Sequence, residues 1–374
     1  MAEPVALRQK LHLDSIEVCR GIAATMVVTS HAAKVLAAEA NFGASPFGTF
    51  FQFGRSGVDF FFVLSGFLIS LLHWQDIGCP HRLKRYATRR LTRIYPSYWL
   101  VLLAIVPFDI FTHTLFDDYN RPFEVLKSLL LLPQLHTILD VTWSLRNELL
   151  FYALFGLMIF SRGIGFIVVG AWIALMAVWP FALPTPQNSW AQVLFFPMNF
   201  EFIAGVLAGW TIRRVTLTRP LPLLAGGAAL FLALWAAENQ LRFVHLPWDR
   251  FIFVCLAYGA AATLVIVGLS ALEMQGRIRM PRPLITLGGA SYLLYLVHVP
   301  ALLVLGATER HVHLLRFVPA WLLASIFVVM TVVGAVVLHI LVERPVLQFV
   351  RKITQPRIAA APFDDSQPSP LPVQ

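Results

Sequence analysis

The sequence predicts an all-α polytopic integral membrane protein, a bundle of about ten transmembrane helices with the N- and C-termini cytoplasmic. Three observations predict it. Hydrophobic residues make up 58% of the 374 and charged residues only 13%, with a mean hydropathy of +0.71, a balance too apolar for a soluble globular chain. Apolar runs of about 20 residues, the length that crosses a hydrocarbon core, recur along the whole chain. Lysine and arginine collect between alternate runs, as the positive-inside rule requires.

The runs cover residues 15–38, 56–74, 94–116, 142–160, 163–183, 190–212, 221–238, 250–272, 284–306 and 317–342. The shorter run Phe123 to Leu135 carries Lys127 and Pro133 and reads as an interfacial or re-entrant piece. With the N-terminus inside, 20 of the 29 Lys and Arg fall on the inner side, which calls for an even number of spans. The net charge of +9 is thus a matter of topology and not of a nucleic-acid partner. Cys19, Cys79 and Cys255 are too few and too scattered for a disulfide framework or a zinc site. The first run is long enough to span and holds His31 and Lys34, so it reads as a span and not as a cleaved leader. Residues 1–358 form one transmembrane domain without internal repeats, and the Pro-rich stretch 359–374 reads as a disordered cytoplasmic tail.

An ionisable residue inside a span is costly and normally faces the bundle interior. Arg20 and His31 are eleven positions apart. At about 100° and 1.5 Å per residue they share one helical stripe and stand roughly 16 Å apart. They are either a snorkelling arginine and a hydrogen-bonded histidine or a functional pair. Arg89, Arg90 and Arg93 are spaced to share a helix face, suited to phosphates or to plain anchoring at the inner surface. Glu148 has Tyr152 four residues on, and Asp59 lies in a second run whose Ser65-Gly66 permits close helix approach. Counted from the helix ends, His31, Asp59 and Glu148 fall at similar depth. That level is either a structural polar network or a base with its orienting partners. Ser291, Tyr295 and His298 make one further polar stripe.

Six elements together carry a resemblance: the Arg-x10-His of the first run, "VDFFFVLSGFLIS", "RRLTRIYPSYW", "TWSLRNELLFY", "SYLLYLVH" and "VERP". In order and spacing they resemble the membrane acyltransferase-3 family, in its exopolysaccharide and lipopolysaccharide O-acetyltransferase branch. The resemblance spans Arg20 to Pro345. It implies transfer of an acyl group from cytoplasmic acyl-CoA, with acetyl-CoA as the expected donor and no metal. The implied acceptor is a hydroxyl of a surface glycan or a lipid-linked saccharide, at the bacterial inner membrane. The family's paired residues fall on Arg20 and His31, its Arg-x-x-Arg on Arg90 and Arg93, and its Ser-Leu-x-x-Glu on Ser144, Leu145 and Glu148, with Arg146 two positions before the carboxylate.

Elementary chemistry agrees with that implication. Acyl transfer to a hydroxyl needs a base that titrates near neutrality. His31 is the expected base, with Glu148 or Asp59 orienting it or holding the acceptor, or else His31 is transiently acylated. Arg20, Arg89, Arg90 and Arg93 are the expected coenzyme A contacts. Tyr152, Ser291, Tyr295 and His298 are expected along the substrate path. The competing class is a transporter or flippase of lipid-linked sugars, but no repeated halves or paired helix breaks support it. Glycan recognition is expected from outer loops such as the one holding Arg242, Trp248 and Asp249.

Overall fold

A computed structural model of the protein describes residues 13–37, 52–112, 122–134, 137–241, 246–313 and 317–354. Arg242 and the Pro-rich tail lie outside them. No strand occurs among the described residues, and each of the ten long apolar runs is mainly helical where it is described. The helices are α1 (Asp14–Ala37), α2 (Gly57–His73), α3 (Leu83–Thr112), α4 (Pro122–Leu129), α5 (Trp143–Phe160), α6 (Arg162–Ala182), α7 (Ser189–Phe195), α8 (Asn199–Ile212), α9 (Pro220–Leu241), α10 (Trp248–Met274), α11 (Arg282–Val312), α12 (Ala320–Leu338) and α13 (Arg344–Thr354). A 3-10 turn, Gln52–Ser56, leads into α2.

Among the described residues, seven helical stretches are long and apolar enough to cross a membrane. They comprise α2, α6, α7 with α8, α9, α10, α11, and α12 with α13. The other three runs are α1, α3 and α5, which carry Glu17, Arg20 and Lys34, then Arg89, Arg90 and Arg93, then Arg146 and Glu148. Their polar load sets them apart, and it is the load that builds the site. The eight-residue α4 is too short to cross, as the run from Phe123 suggests.

In lipid, helices associate by close packing and not by a hydrophobic drive, so small residues mark the tightest contacts. On α2, a Cβ at Gly66 would lie 2.0 Å from the Phe202 carbonyl oxygen, and one at Gly205 of α8 would lie 2.0 Å from that of Val63. Gly288 of α11 is pressed equally hard on the Glu17 carbonyl of α1. These contacts fix the register. α1 and α11 run parallel, with Glu17 beside Gly288 and His31 beside His298. α1 and α2 run antiparallel, with Gly54 against Met26 and Ser30, and Gly57 against Ala23.

The last apolar helix ends in a π turn, His339–Glu343, where the "VERP" element begins. Glu343 is buried and accepts hydrogen bonds from Ser97 Oγ (2.5 Å) and His339 Nδ1 (2.6 Å). That element therefore pins the end of α12 to α3.

Candidate active site

A cavity of about 680 Å3, its open mouth included, lies between α1, α2, α3, α5, α8 and α11. Arg20, Arg93, Glu148 and Tyr292 line it together with Ser65, Ser144, Ser291 and Tyr295. Apolar side chains, among them Phe61, Phe62, Phe151 and Phe202, make up the rest of its wall. A mostly apolar cavity with a few convergent polar groups is the form a ligand site takes.

Arg20 donates from Nη1 to both carboxylate oxygens of Glu17, at 2.9 and 3.2 Å, one turn back on α1. The Glu148 carboxylate takes a short hydrogen bond from the Tyr152 hydroxyl and a longer one, 3.4 Å, from Ser65 Oγ. Arg20 and Arg93 both act electrostatically on Glu148. The carboxylate is thus held among two guanidinium groups and two hydroxyls. Arg146 does not join it, because two residues turn a helix by about 200°. Its Nη1 instead reaches the Gln134 carbonyl at 2.7 Å.

The three arginines of α3 separate. Arg93 lines the cavity. Arg90 is buried with its guanidinium 5.4 Å from the Tyr152 ring centre, a cation–π contact, and its Nε and Nη2 have no hydrogen-bond partner among the described residues. Arg89 is exposed, which its place one helical step from Arg90 explains.

His31 does not line the cavity but is linked to it through α11. Its ring lies 5.0 Å from that of His298 in an edge-to-face arrangement. The His298 ring lies 5.6 Å from that of Tyr295. Tyr295 lines the cavity and shares a 2.9 Å hydrogen bond with Ser144 Oγ. The stripe of Ser291, Tyr295 and His298 thus runs between the Arg20 and His31 ends of α1. Both histidines bond a backbone carbonyl through Nδ1, His31 to Val27 at 2.9 Å and His298 to Tyr295 at 2.7 Å. A carbonyl only accepts, so the proton is on Nδ1 and, in the neutral ring, Nε2 carries the lone pair. His298 is fully buried, and its Nε2 has no partner among the described residues.

The single level of His31, Asp59 and Glu148 is corrected by the register. Ser30 meets Gly54 in the 3-10 turn that leads into α2, so Asp59 lies five residues, roughly 8 Å, deeper than His31. Glu148 meets Ser65, another six residues or about 9 Å on. Glu148 is therefore level with Arg20 and not with His31. Asp59 faces α8, away from the cavity, where it meets Glu201. Neither carboxylate is a partner of the His31 ring among the described residues. Counting from helix ends failed because the helices do not begin in one plane.

Sequence reading did not single out Tyr292, which lines the cavity and donates to the Ile94 carbonyl at 3.0 Å. It also passed over Glu201 and Glu238, although a lone acid within an apolar run was signal enough. Trp248 and Asp249, expected in an outer loop, form the first turn of α10, where Trp248 packs edge-on against Phe196 with ring centres 5.8 Å apart.

Two comparisons with known proteins bear on this arrangement. A curated relative is the exopolysaccharide production protein ExoZ of Rhizobium meliloti (strain 1021), 29% identical over 311 residues, which are 80% of this chain and 92% of that protein. No solved structure matches the chain. The model of the acyltransferase-3 family, described as an acyltransferase domain, matches residues 13–340, a stretch that takes in the cavity, its arginines and both histidines. The chain therefore belongs to the acyltransferase-3 family of membrane acyltransferases.

Proposed function

We propose that the protein is an integral membrane O-acyltransferase of the bacterial inner membrane. It moves an acyl group, acetyl by preference, from cytoplasmic acyl-CoA to a hydroxyl of an exopolysaccharide or its lipid-linked precursor. α1, α3 and α5 cross the membrane with the seven more apolar stretches, giving ten spans and cytoplasmic termini. The observation that carries this reading is the polar track along α1 and α11, from Arg20, Arg93 and Glu148 in the cavity to His298 and His31. Its polysaccharide side comes from the likeness to a protein of exopolysaccharide production.

In this reading Arg90 and Arg93 hold the coenzyme A phosphates, since planar guanidinium groups suit phosphate oxygens. Arg20, fixed by Glu17 and balanced by Glu148, stands where the donor enters the cavity. The thioester runs along Ser291 and Tyr295 toward His31. The His31 Nε2 lone pair removes the acceptor hydroxyl's proton as its oxygen forms a bond to the thioester carbon. The carbon–sulfur bond breaks, and the departing thiolate takes the proton from the imidazolium.

Purified protein in nanodiscs, given labelled acetyl-CoA and a lipid-linked saccharide acceptor, is expected to release coenzyme A and label the acceptor. Gradient-driven sugar uptake without dependence on coenzyme A would point to a transporter instead. Labelling without acceptor separates direct transfer from a covalent route. An acyl group retained on the wild type and absent from His31→Ala would mark an acyl-histidine intermediate.

A further inference from the structure

Away from the cavity, on the α8 and α10 side of α2, lies a second group of buried ionisable residues. Arg55 Nε donates to Glu238 Oε1 at 2.7 Å, and the Tyr258 hydroxyl donates to Glu238 Oε2 at 2.7 Å. Glu238 is therefore satisfied. Asp59 and Glu201 beside it are 1% and 0% exposed, with an oxygen of each carboxylate within 4.8 Å of the other. Asp59 Oδ2 and both Glu201 carboxylate oxygens find no donor among the described residues. Gly259 makes room for Glu201, since a Cβ there would lie 3.0 Å from Glu201 Cγ.

An ionised carboxylate only accepts hydrogen bonds, so two in contact need a proton or a cation between them. Cys255 also points in, being fully buried, with its sulfur and one oxygen of each carboxylate all within 4.8 Å of one another. The donor set decides between the occupants. Arg55 acts on Asp59, Glu201 and Glu238, while Lys34 is exposed at the rim and acts on Glu238 and Asp140 alike. A shared proton supplies the missing donor directly, whereas a structural zinc site takes four ligands and only Asp59, Glu201 and Cys255 converge among the described residues. Cys255 is then a neutral thiol packed as a small apolar group.

We propose that Asp59 and Glu201 form a closed proton-binding site, holding one shared proton between α2 and α8. About two turns past Asp59 and one turn past Glu201, Gly66 and Gly205 bring the same two helices into backbone contact. α2 supplies Phe61, Phe62 and Ser65 to the cavity wall, and α8 supplies Phe202. The shared proton thus keeps that wall closed, because its loss sets two buried negative charges against each other across the helix pair.

Infrared difference spectroscopy on the full-length protein in nanodiscs tests the site. At neutral pH the wild type is expected to show a protonated-carboxyl stretch that vanishes in both Glu201→Gln and Asp59→Asn. If the wild type and the variants do not differ there, the proposal fails. Elemental analysis is expected to find no stoichiometric metal. A divalent metal at one per chain, lost in Asp59→Asn and in Cys255→Ser, would replace the proton by a metal. Thermal melting gives a third readout that does not depend on activity. The folded pair binds a proton that unfolded carboxylates release, so wild-type stability falls as the buffer turns alkaline. A drop of about 3 °C in Tm is expected. In Glu201→Gln the amide supplies the missing donor, and the drop should disappear; an equal drop in both proteins would overturn the shared proton.

Discussion

Two polar groups of similar composition are set into this apolar bundle, and they differ in the space around them. The group of Arg20, Arg93, Glu148 and Tyr292 borders a cavity. The group of Arg55, Asp59, Glu201 and Glu238 is sealed among α2, α8, α9 and α10, with its three carboxylates at most 2% exposed. Both place guanidinium groups against carboxylates. Only the first leaves room for a ligand, so charge in the membrane marks a site only together with empty volume. The sealed group trades that room for cohesion between helices.

If the contrast holds, damage to the cavity track should affect chemistry and spare the fold. The largest effect is expected at the far end of the track. His31→Ala should lower acyl transfer on the order of 10²–10⁴-fold, the usual worth of a positioned base. His31 is only half-buried, so expression and donor binding should persist. Transfer surviving near the wild-type rate would remove His31 from the base role.

The next effect falls on the donor. Arg93→Ala removes a guanidinium that borders the cavity, and calorimetry should show donor affinity falling roughly tenfold to a hundredfold, the value of a charge-assisted hydrogen bond. Unchanged affinity would separate the α3 arginines from the phosphates. Glu148→Gln should have a smaller effect on donor binding. It keeps a side chain within reach of Tyr152 and Ser65 while removing the charge that balances Arg20 and Arg93. Transfer is expected to drop about tenfold and to keep the same melting temperature, since the group lines a cavity and not a packed core. A large loss of stability would instead make Glu148 a structural member like Glu238.

The helices were legible in the sequence, and their depths were not. Where they are described, all ten apolar runs form helix, and the run at 190–212 is interrupted at Phe196–Met198, around Pro197. Arg20 and His31 share α1 as their spacing requires, and the stripe of Ser291, Tyr295 and His298 was visible as a period. Which residue stands beside which depends on tertiary contacts that no single helix encodes. The register of α1 on α2 follows from Gly54 and Gly57, and that of α1 on α11 from Gly21 and Gly288. Those glycines read as ordinary members of apolar runs until their partners are known. For the same reason Asp59 passed for a companion of His31, when its neighbour Glu201 lies on a helix more than a hundred residues later.

The smallest effect sharpens the contrast most, because it sets exposure against charge on one helix. Arg89 and Arg93 lie four residues apart on α3 and carry the same group, yet Arg89 is exposed while Arg93 borders the cavity. An exposed charge is screened by water and salt and contributes little to binding. Arg89→Ala is therefore expected to change donor affinity by no more than about twofold, and what change there is should fade as salt is raised. Arg93→Ala should keep most of its effect at the same salt. Equal losses from the two variants would mean that coenzyme A lies along the outer face of α3, and the cavity would lose its claim to the donor.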